Sequence, residues 1–352
     1  MSVDAKGRGN VTLKDVAARV GVTQAAVSMA LAGNPRISEK TRRAVQRAAA
    51  ELGYVPSSAG RALRRQSAGA IALIVPNTSH HVFGHAYFMH VLTGVSSSSN
   101  AHDAQVIVST NTDGAEGVNA YERVIRSGSA DGVIVTSAAV DDANVEALVA
   151  SGLPVVLIGN FPYLPEAVSV GTDDVAASRL VTEHLITVHG RSRLLHVSGP
   201  LDHQTGIDRR EGFLQAVRAH ALGENALVLE GDMSEESGAE AVRQAHDMGV
   251  EVDGVVFAND DMAFGGMQTL RRLGRRVGDD IALVGFDDFG IARTTTPGIT
   301  TMRVPAERMA LAASDTLFAI LAGERTGPAH VELPVEFIAR TSCGCAGDAL
   351  SE

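Results

Sequence analysis

Apolar positions along this chain follow two rhythms, and the change between them comes near residue 70. Before it, apolar residues recur every three or four positions in short runs, which is the helical period. Val16, Ala17 and Val20 share one face of a run that begins at Val11, and Gly21 then permits a tight turn. A second run extends from Thr23 to about Leu31, and a third from about Ser38 to Leu52, with Ile37, Val45, Ala48 and Leu52 as its inward residues. Thr12 is placed to cap the first run, with Asp15 as its acidic partner, and Thr23 to cap the second. The pattern predicts three helices closing a small core. Two short helices joined by a glycine turn have helix-turn-helix spacing, which puts the second in position to enter a DNA major groove.

From Ala70 the rhythm becomes one of short, nearly continuous apolar runs alternating with amphipathic stretches. Predicted strands Ile71–Val75, Gln105–Ser109, Gly132–Thr136 and Pro154–Ile158 alternate with helices around Phe88–Val95, Glu116–Arg126 and Asn144–Ala150. After Val168–Val170 the series resumes. Helices Ala176–Thr187, Arg210–His220, Gly238–Met248 and Met262–Leu273 lead to strands Leu194–Val197, Leu227–Leu229, Val255–Phe257 and Ile281–Val284. Such alternation predicts parallel sheets covered on both faces. The two series part between Asn160 and Gly171, where Pro162 and Pro165 fall. The chain therefore reads as α/β: a small all-α helix-turn-helix head, then two doubly wound parallel-sheet lobes with a cleft between them. Ligands of such sheets bind beyond the carboxyl ends of the strands. The loops after Val75, Ile158, Val197, Phe257 and Phe286 are expected to face the cleft.

Charge separates head from body. The first 66 residues hold twelve Lys and Arg against four Asp and Glu, a net of +8, while the whole chain of 352 residues carries −11, which leaves −19 on the remainder. A basic end on an acidic body is the asymmetry expected when one end alone meets phosphate. At 45% hydrophobic and 20% charged residues the composition is that of a globular protein. No apolar run approaches the ~20 residues of a membrane span, and no charged-then-apolar leader opens the chain. Both point to a cytoplasmic protein that does not enter membranes.

Enzymatic chemistry finds little support. The first strand ends in VPNTSHH where a dinucleotide fold would carry GxGxxG, and neither GxxxxGK[ST] nor GxSxG occurs. The run AFGGMQ lies within a helical pattern and reads as close helix packing. His80, His81, His85 and His90 are close in sequence, but their spacing fits no familiar zinc pattern, so a loop shaping ligand choice is the reading preferred. Cys343 and Cys345 read as reduced thiols in a C-terminal tail, too few for a structural zinc site. Neither metal nor cofactor is expected.

Motifs spread over most of the chain, in order, carry a further inference. LKDVAARVGV, AVSMAL and ELGYVP stand in the head, and VSGP at Val197, RREGF at Arg209, FANDDMAFGGMQTLRRLG at Phe257 and ALVGFDD at Ala282 in the body. Together they resemble the LacI/GalR family of bacterial transcription repressors, from about Val11 to Arg340. The resemblance implies a helix-turn-helix domain at 1–56, a hinge helix and linker at 57–68, and a body at 69–342 like periplasmic binding proteins. Its lobes are expected at 69–170 with 302–326 and at 171–301 with 327–342, leaving 343–352 as a tail.

In the head, the resemblance places Gln24, Ala25 and Met29 at base-reading positions. Gln suits adenine, whereas Ala and Met offer only apolar contact, as to a thymine methyl. Thr23, Ser28, Arg36, Lys40, Arg42 and Arg43 are phosphate candidates, which position without specifying sequence. Arg61 and Leu63 match the residues that enter the minor groove, and Gly60 weakens the hinge helix by ~1 kcal/mol relative to alanine. In the body, Arg209, Asn259 and Asp287 match ligand-facing positions, and Asn77 and Asn160 lie in loops beyond strand ends. Met233 stands where sugar-binding relatives carry a stacking aromatic. The implied protein is a homodimer that binds double-stranded operator DNA and a small, carbohydrate-like effector. An effector-dependent activator, or a corepressor-type regulator using a nucleoside or other non-sugar ligand, stays open.

Overall fold

Buried apolar side chains in the head fall where the helical period puts them. The computed structural model describes residues 11–54, 67–78, 83–111 and 119–346. It divides into two units, Met1–Ala68 and Gly69–Glu352. Gly60, Arg61, Leu63, His80 and His81 lie outside the described residues, as does nearly all of the expected hinge. In the first unit, α1 (Leu13–Val20), α2 (Gln24–Leu31) and α3 (Glu39–Leu52) pack around buried Val16, Val27, Ala30, Val45 and Ala48. The Asp15 carboxylate accepts from the Thr12 backbone N–H at 2.8 Å and from its hydroxyl at 2.7 Å, fixing the start of α1. Gly21 ends α1 in the left-handed region at φ 71°, which an L side chain would resist. Thr23 Oγ1 then accepts from Ala26 N at 3.2 Å and starts α2.

The second unit holds two parallel sheets. The strands are β1 (Ala70–Thr78), β2 (Gln105–Asn111), β3 (Gly132–Thr136), β4 (Val155–Ile158), β5 (Val168–Gly171), β6 (Leu194–Ser198), β7 (Ala226–Glu230), β8 (Gly254–Phe257), β9 (Ala282–Val284), β10 (Thr301–Arg303), β11 (Ala329–Glu332) and β12 (Glu336–Ile338). The first sheet runs β11-β5-β4-β3-β1-β2 and the second β7-β6-β8-β9, with every pairing parallel. Strands such as β3 are buried along their whole length, as a sheet covered on both faces requires. The covering helices are α4 (Ala86–Ala101), α5 (Ala120–Ser127), α6 (Ala143–Ala150), α7 (Asp174–Thr187), α8 (Gln204–Ala219), α9 (Glu235–Asp247), α10 (Asp260–Arg272), the short α11 (Ile291–Thr294) and α12 (Ala306–Leu321). Among the described residues no helix is long and apolar enough to cross a membrane.

Three sequence expectations need correction. Residues 327–342 do not lie wholly with the second lobe: β11 pairs with β5 in the first sheet, and β12 pairs antiparallel with β10. His330 on β11 also meets Ser169 at 2.8 Å, so pairing with a neighbouring strand, not chain order, sets the lobe. Residues 343–345 are not wholly a loose tail. Cys343 is fully buried in the main core, and Ser342 just before it donates to Leu283 O at 2.6 Å. The helix expected from Arg210 begins at Gln204, so Arg209 stands on a helix and not in a loop. Its glycines serve close packing: a Cβ on Gly206 would lie 2.2 Å from Pro200 O, and one on Gly212 2.2 Å from Val175 O. AFGGMQ packs as expected, since a Cβ on Gly265 of α10 would lie 1.9 Å from Glu235 O of α9.

Candidate functional site

The outward face of α2 carries the three positions expected to read bases. Gln24, Ala25 and Met29 are exposed and Ser28 is half-buried, while Val27 and Ala30 take the core side. Met29, at 36% exposure, is not a core residue. Thr23 spends its hydroxyl on the cap. The basic groups of α3 are partly committed within the head. Arg42 and Arg43 both reach Glu39, at 3.2 and 3.0 Å, and Arg42 also donates to Asn34 O at 3.2 Å.

In the second unit, side chains from the carboxyl ends of both sheets converge on a cavity of about 190 Å³. Asn77 comes from the end of β1, Asn160 from the loop after β4, Arg209 from α8, Asn259 from the loop after β8 and Asp287 from the loop after β9. One cavity thus gathers all five residues expected there. The lobes meet beside it: Val140 N donates to Asp202 O at 2.7 Å, and His85 Nδ1 lies 3.5 Å from an Asp261 carboxylate oxygen. His90 approaches the Phe289 ring at 5.0 Å between centroids.

Arg209 is the centre of this arrangement. Its Nε donates to Asp174 Oδ2 at 2.9 Å, and its Nη1 donates to Asp287 Oδ1 at 3.1 Å and to the Ala258 carbonyl. The guanidinium lies over the Phe286 ring, 3.7 Å from its centroid. Asp174 is itself fixed, because Thr172 Oγ1 donates to its Oδ1 at 2.6 Å. These contacts commit Nε and Nη1 to the protein, and Arg209 lines the cavity.

The amides divide their work differently. Asn259 caps α10 by accepting from Met262 N at 2.9 Å and donates to Met233 O at 2.8 Å, so it also braces the loop carrying Met233. Asn160 donates to Thr172 O at 2.8 Å and to Asp208 Oδ2 at 3.1 Å. Asn77 Oδ1 accepts from Thr78 N at 2.8 Å. Sequence reasoning missed Asp174, Asp208 and Asp261, which line the same cavity. Asp174 and Asp261 sit in the first turns of α7 and α10, and placing those helix starts correctly is the signal that finds them; Asp208 lies one turn further into α8. It also missed the aromatic surface. Met233 does stand on the wall, but Tyr87, Phe161 and Phe289 line the cavity from other elements.

Burial pushes the Asp287 carboxyl up to about 7, against the pull of Arg209, and Asp174 on the same guanidinium adds to the rise. Asp260 behind it is pushed well above the carboxylate range by burial and by Asp287. A carboxyl raised in the fold binds its proton more tightly when folded. Its stabilising contribution is present below the ordinary carboxylate range and is lost as pH rises towards about 7. The parent protein is expected to lose stability relative to Asp287→Asn over that window, read as melting temperature against pH for both proteins. A difference that stays constant with pH would show that Asp287 is not raised.

Comparisons with known proteins agree with the two-part architecture. Residues 12–57 match the family described as bacterial regulatory proteins, lacI family, and residues 182–343 match a periplasmic binding protein-like domain. The transcriptional regulator CelR of Thermobifida fusca is 33% identical over 341 residues, covering 95% of this chain and 99% of its own. The regulator GntR of Escherichia coli K12 is 30% identical over 321 residues, covering 91% and 95%. A solved CelR–cellobiose complex superposes with a TM-score of 0.72 at 31% identity, covering 94% of this chain and 99% of that one. The lac repressor dimer bound to operator and the anti-inducer ONPF superposes at 0.84 with 26% identity, covering 95% and 99%. With helix-turn-helix head and two-lobed body matched along nearly its whole length, the chain belongs to the lacI family of bacterial transcriptional regulators.

Proposed function

We propose that this protein is a homodimeric repressor whose operator affinity is set by a neutral carbohydrate held between the lobes. The observation that carries the ligand class is the charge of the cavity wall. Among the described residues, Asp174, Asp208, Asp232, Asp261 and Asp287 line it against Arg209 as the only Lys or Arg. Two of those carboxylates already hold the guanidinium. A phosphorylated or carboxylate ligand would meet net like charge in a site of low dielectric. A polyol suits it better, because a hydroxyl can both donate to a carboxylate and accept from the Arg209 guanidinium. Tyr87, Phe161 and Phe289 offer apolar surface for the faces of a sugar ring. The likeness to CelR, solved with cellobiose, supports the same class.

Asn77, Asn160, Arg209, Asn259 and Asp287 are the proposed ligand contacts, with Asn160 and Asn259 acting in part by bracing neighbouring loops. Gln24, Ala25 and Met29 read bases, Thr23 and Ser28 approach the phosphates, and Arg61 and Leu63 enter the minor groove. A dimer matches two half-sites with two heads, and the lac repressor dimer on its operator supports that assembly. A ligand that favours one arrangement of the lobes shifts DNA affinity by its differential binding to the two states.

A thermal-shift screen of neutral mono- and disaccharides, cellobiose and ribose among them, beside their phosphorylated forms tests the reading. A neutral sugar is expected to raise the melting temperature by mass action and to release the protein from its upstream DNA in a mobility-shift assay. Stabilisation by the phosphorylated forms alone would overturn it.

A further inference from the structure

We propose that His184, His189, Cys343 and Cys345 form a tetrahedral site for a zinc-class divalent cation, away from the ligand cavity. Among the described residues these four alone gather enough ligand-type side chains to hold a metal, with one ligand atom of each within 4.8 Å of all the others. The edges of this group have the size of a coordination shell. His184 Nε2 and His189 Nε2 are 3.1 Å apart, and Cys345 Sγ lies 3.5 and 3.4 Å from them. A tetrahedron with zinc–nitrogen bonds of ~2.05 Å and zinc–sulfur bonds of ~2.3 Å has edges of about 3.3 Å between nitrogens and about 3.5 Å between nitrogen and sulfur. Two imidazoles and two thiolates are also the ligand set that suits zinc.

The backbone brings the four together without help from an ion. His184 lies in the last turn of α7 and His189 just beyond it. The cysteines arrive from the other end of the chain, on a segment pinned by Ser342, which accepts from Thr300 N at 2.8 Å and donates to Leu283 O at 2.6 Å. Gly344 between them has φ 102°, and a Cβ there would lie 3.0 Å from Gly278 O and 3.3 Å from His189 Nδ1. Glycine therefore lets the Cys-x-Cys turn close against the ring. Thr300 Oγ1 lies 3.1 Å from Cys343 Sγ, placed to donate to a thiolate, the supporting contact metal sites use. A hydrogen bond between the imidazoles would account for one contact of the group. It would not account for Cys345 Sγ meeting both rings with Cys343 Sγ within 4.8 Å of the group. Both cysteines are free, so no disulfide competes for them. The ion would clasp the chain's last segment to the end of α7, whose first residue, Asp174, holds Arg209.

The test uses the full chain, purified under reducing conditions, stripped with chelator and reloaded with zinc or cobalt(II). About one ion per chain is expected, with cobalt giving thiolate charge-transfer bands and the intense visible bands of tetrahedral geometry. Cys345→Ser and His189→Gln, at half-buried positions, should each drop zinc content at least tenfold, to below about 0.1 ion per chain. Chelator should lower the melting temperature of the parent and not that of the variants. Absence of zinc uptake, a pale octahedral cobalt spectrum, or equal zinc in parent and variants would overturn the site. So would a Cys343–Cys345 disulfide in the reduced preparation.

Discussion

A chain beginning at Gly69 is expected to lose its operator while keeping its fold and its small-molecule ligand. The head has its own core, centred on Val16, Val27 and Val45, and the chain parts into two units at Ala68. The basic surplus also lies at that end, with +8 in the first 66 residues against −11 overall. Deletion removes α2 with Gln24, Ala25 and Met29, and it removes the charge that draws the protein to phosphate. Specific complexes are typically ~10³–10⁷ tighter than nonspecific ones, and the nonspecific part is itself driven by basic side chains. Both should vanish together. Mobility-shift titration at fixed salt measures the loss, and the melting transition of the truncated protein, with and without sugar, measures what is kept. Operator affinity within tenfold of the parent would mean that the body contributes the DNA surface.

Arg209→Ala is expected to abolish the ligand response and to destabilise the body. The guanidinium side chain is 6% exposed and pairs with Asp174, itself 7% exposed, and with Asp287 at 17%. Removing it leaves two carboxylates facing each other with no cation, and breaking a buried pair in this way costs about 3–5 kcal/mol. The stacked contact with Phe286 is lost as well. Denaturant unfolding would read the stability change, and calorimetry with the sugar found in the screen would read the affinity. Arg209→Lys separates the two effects, since it restores a charge but not the fork that serves both carboxylates and the cavity. It should recover part of the stability and little of the affinity. Unchanged midpoint and affinity in Arg209→Ala would remove Arg209 from the site.

The head was legible because its information is local. A helix of eight residues declares itself through a cap, an apolar face and a closing glycine, and Thr12, Val16, Ala17 and Gly21 supply all of these within α1. The alternation of strands and helices was legible for a similar reason, since a strand buried on both faces, such as β3, must be apolar throughout. The cavity was legible by topology, because cleft residues gather at the carboxyl ends of strands: Asn160, Asn259 and Asp287 lie beyond theirs, whereas Asn77, expected in a loop, is still within β1, which runs on to Thr78. The start of α8 was not legible: the expected helix began at Arg210, whereas α8 begins at Gln204 and carries Arg209, with Gly206 and Gly212 inside it where another backbone passes too close for a side chain.

By itself, then, the sequence determined what depends on neighbours along the chain: element types, a basic head against an acidic body, and the residues next to each strand end. Tertiary structure alone decided what depends on distant partners. Asp174 and Arg209 are 35 residues apart, yet they form one buried pair. Strand β11 joins the first sheet because it finds β5, far earlier in the chain. Cys345 comes to lie beside His184 across 161 residues. Hydrophobic periodicity records which face a residue presents, but not which remote surface that face will meet. Burial and ion pairing between remote segments follow from the packing of the finished fold.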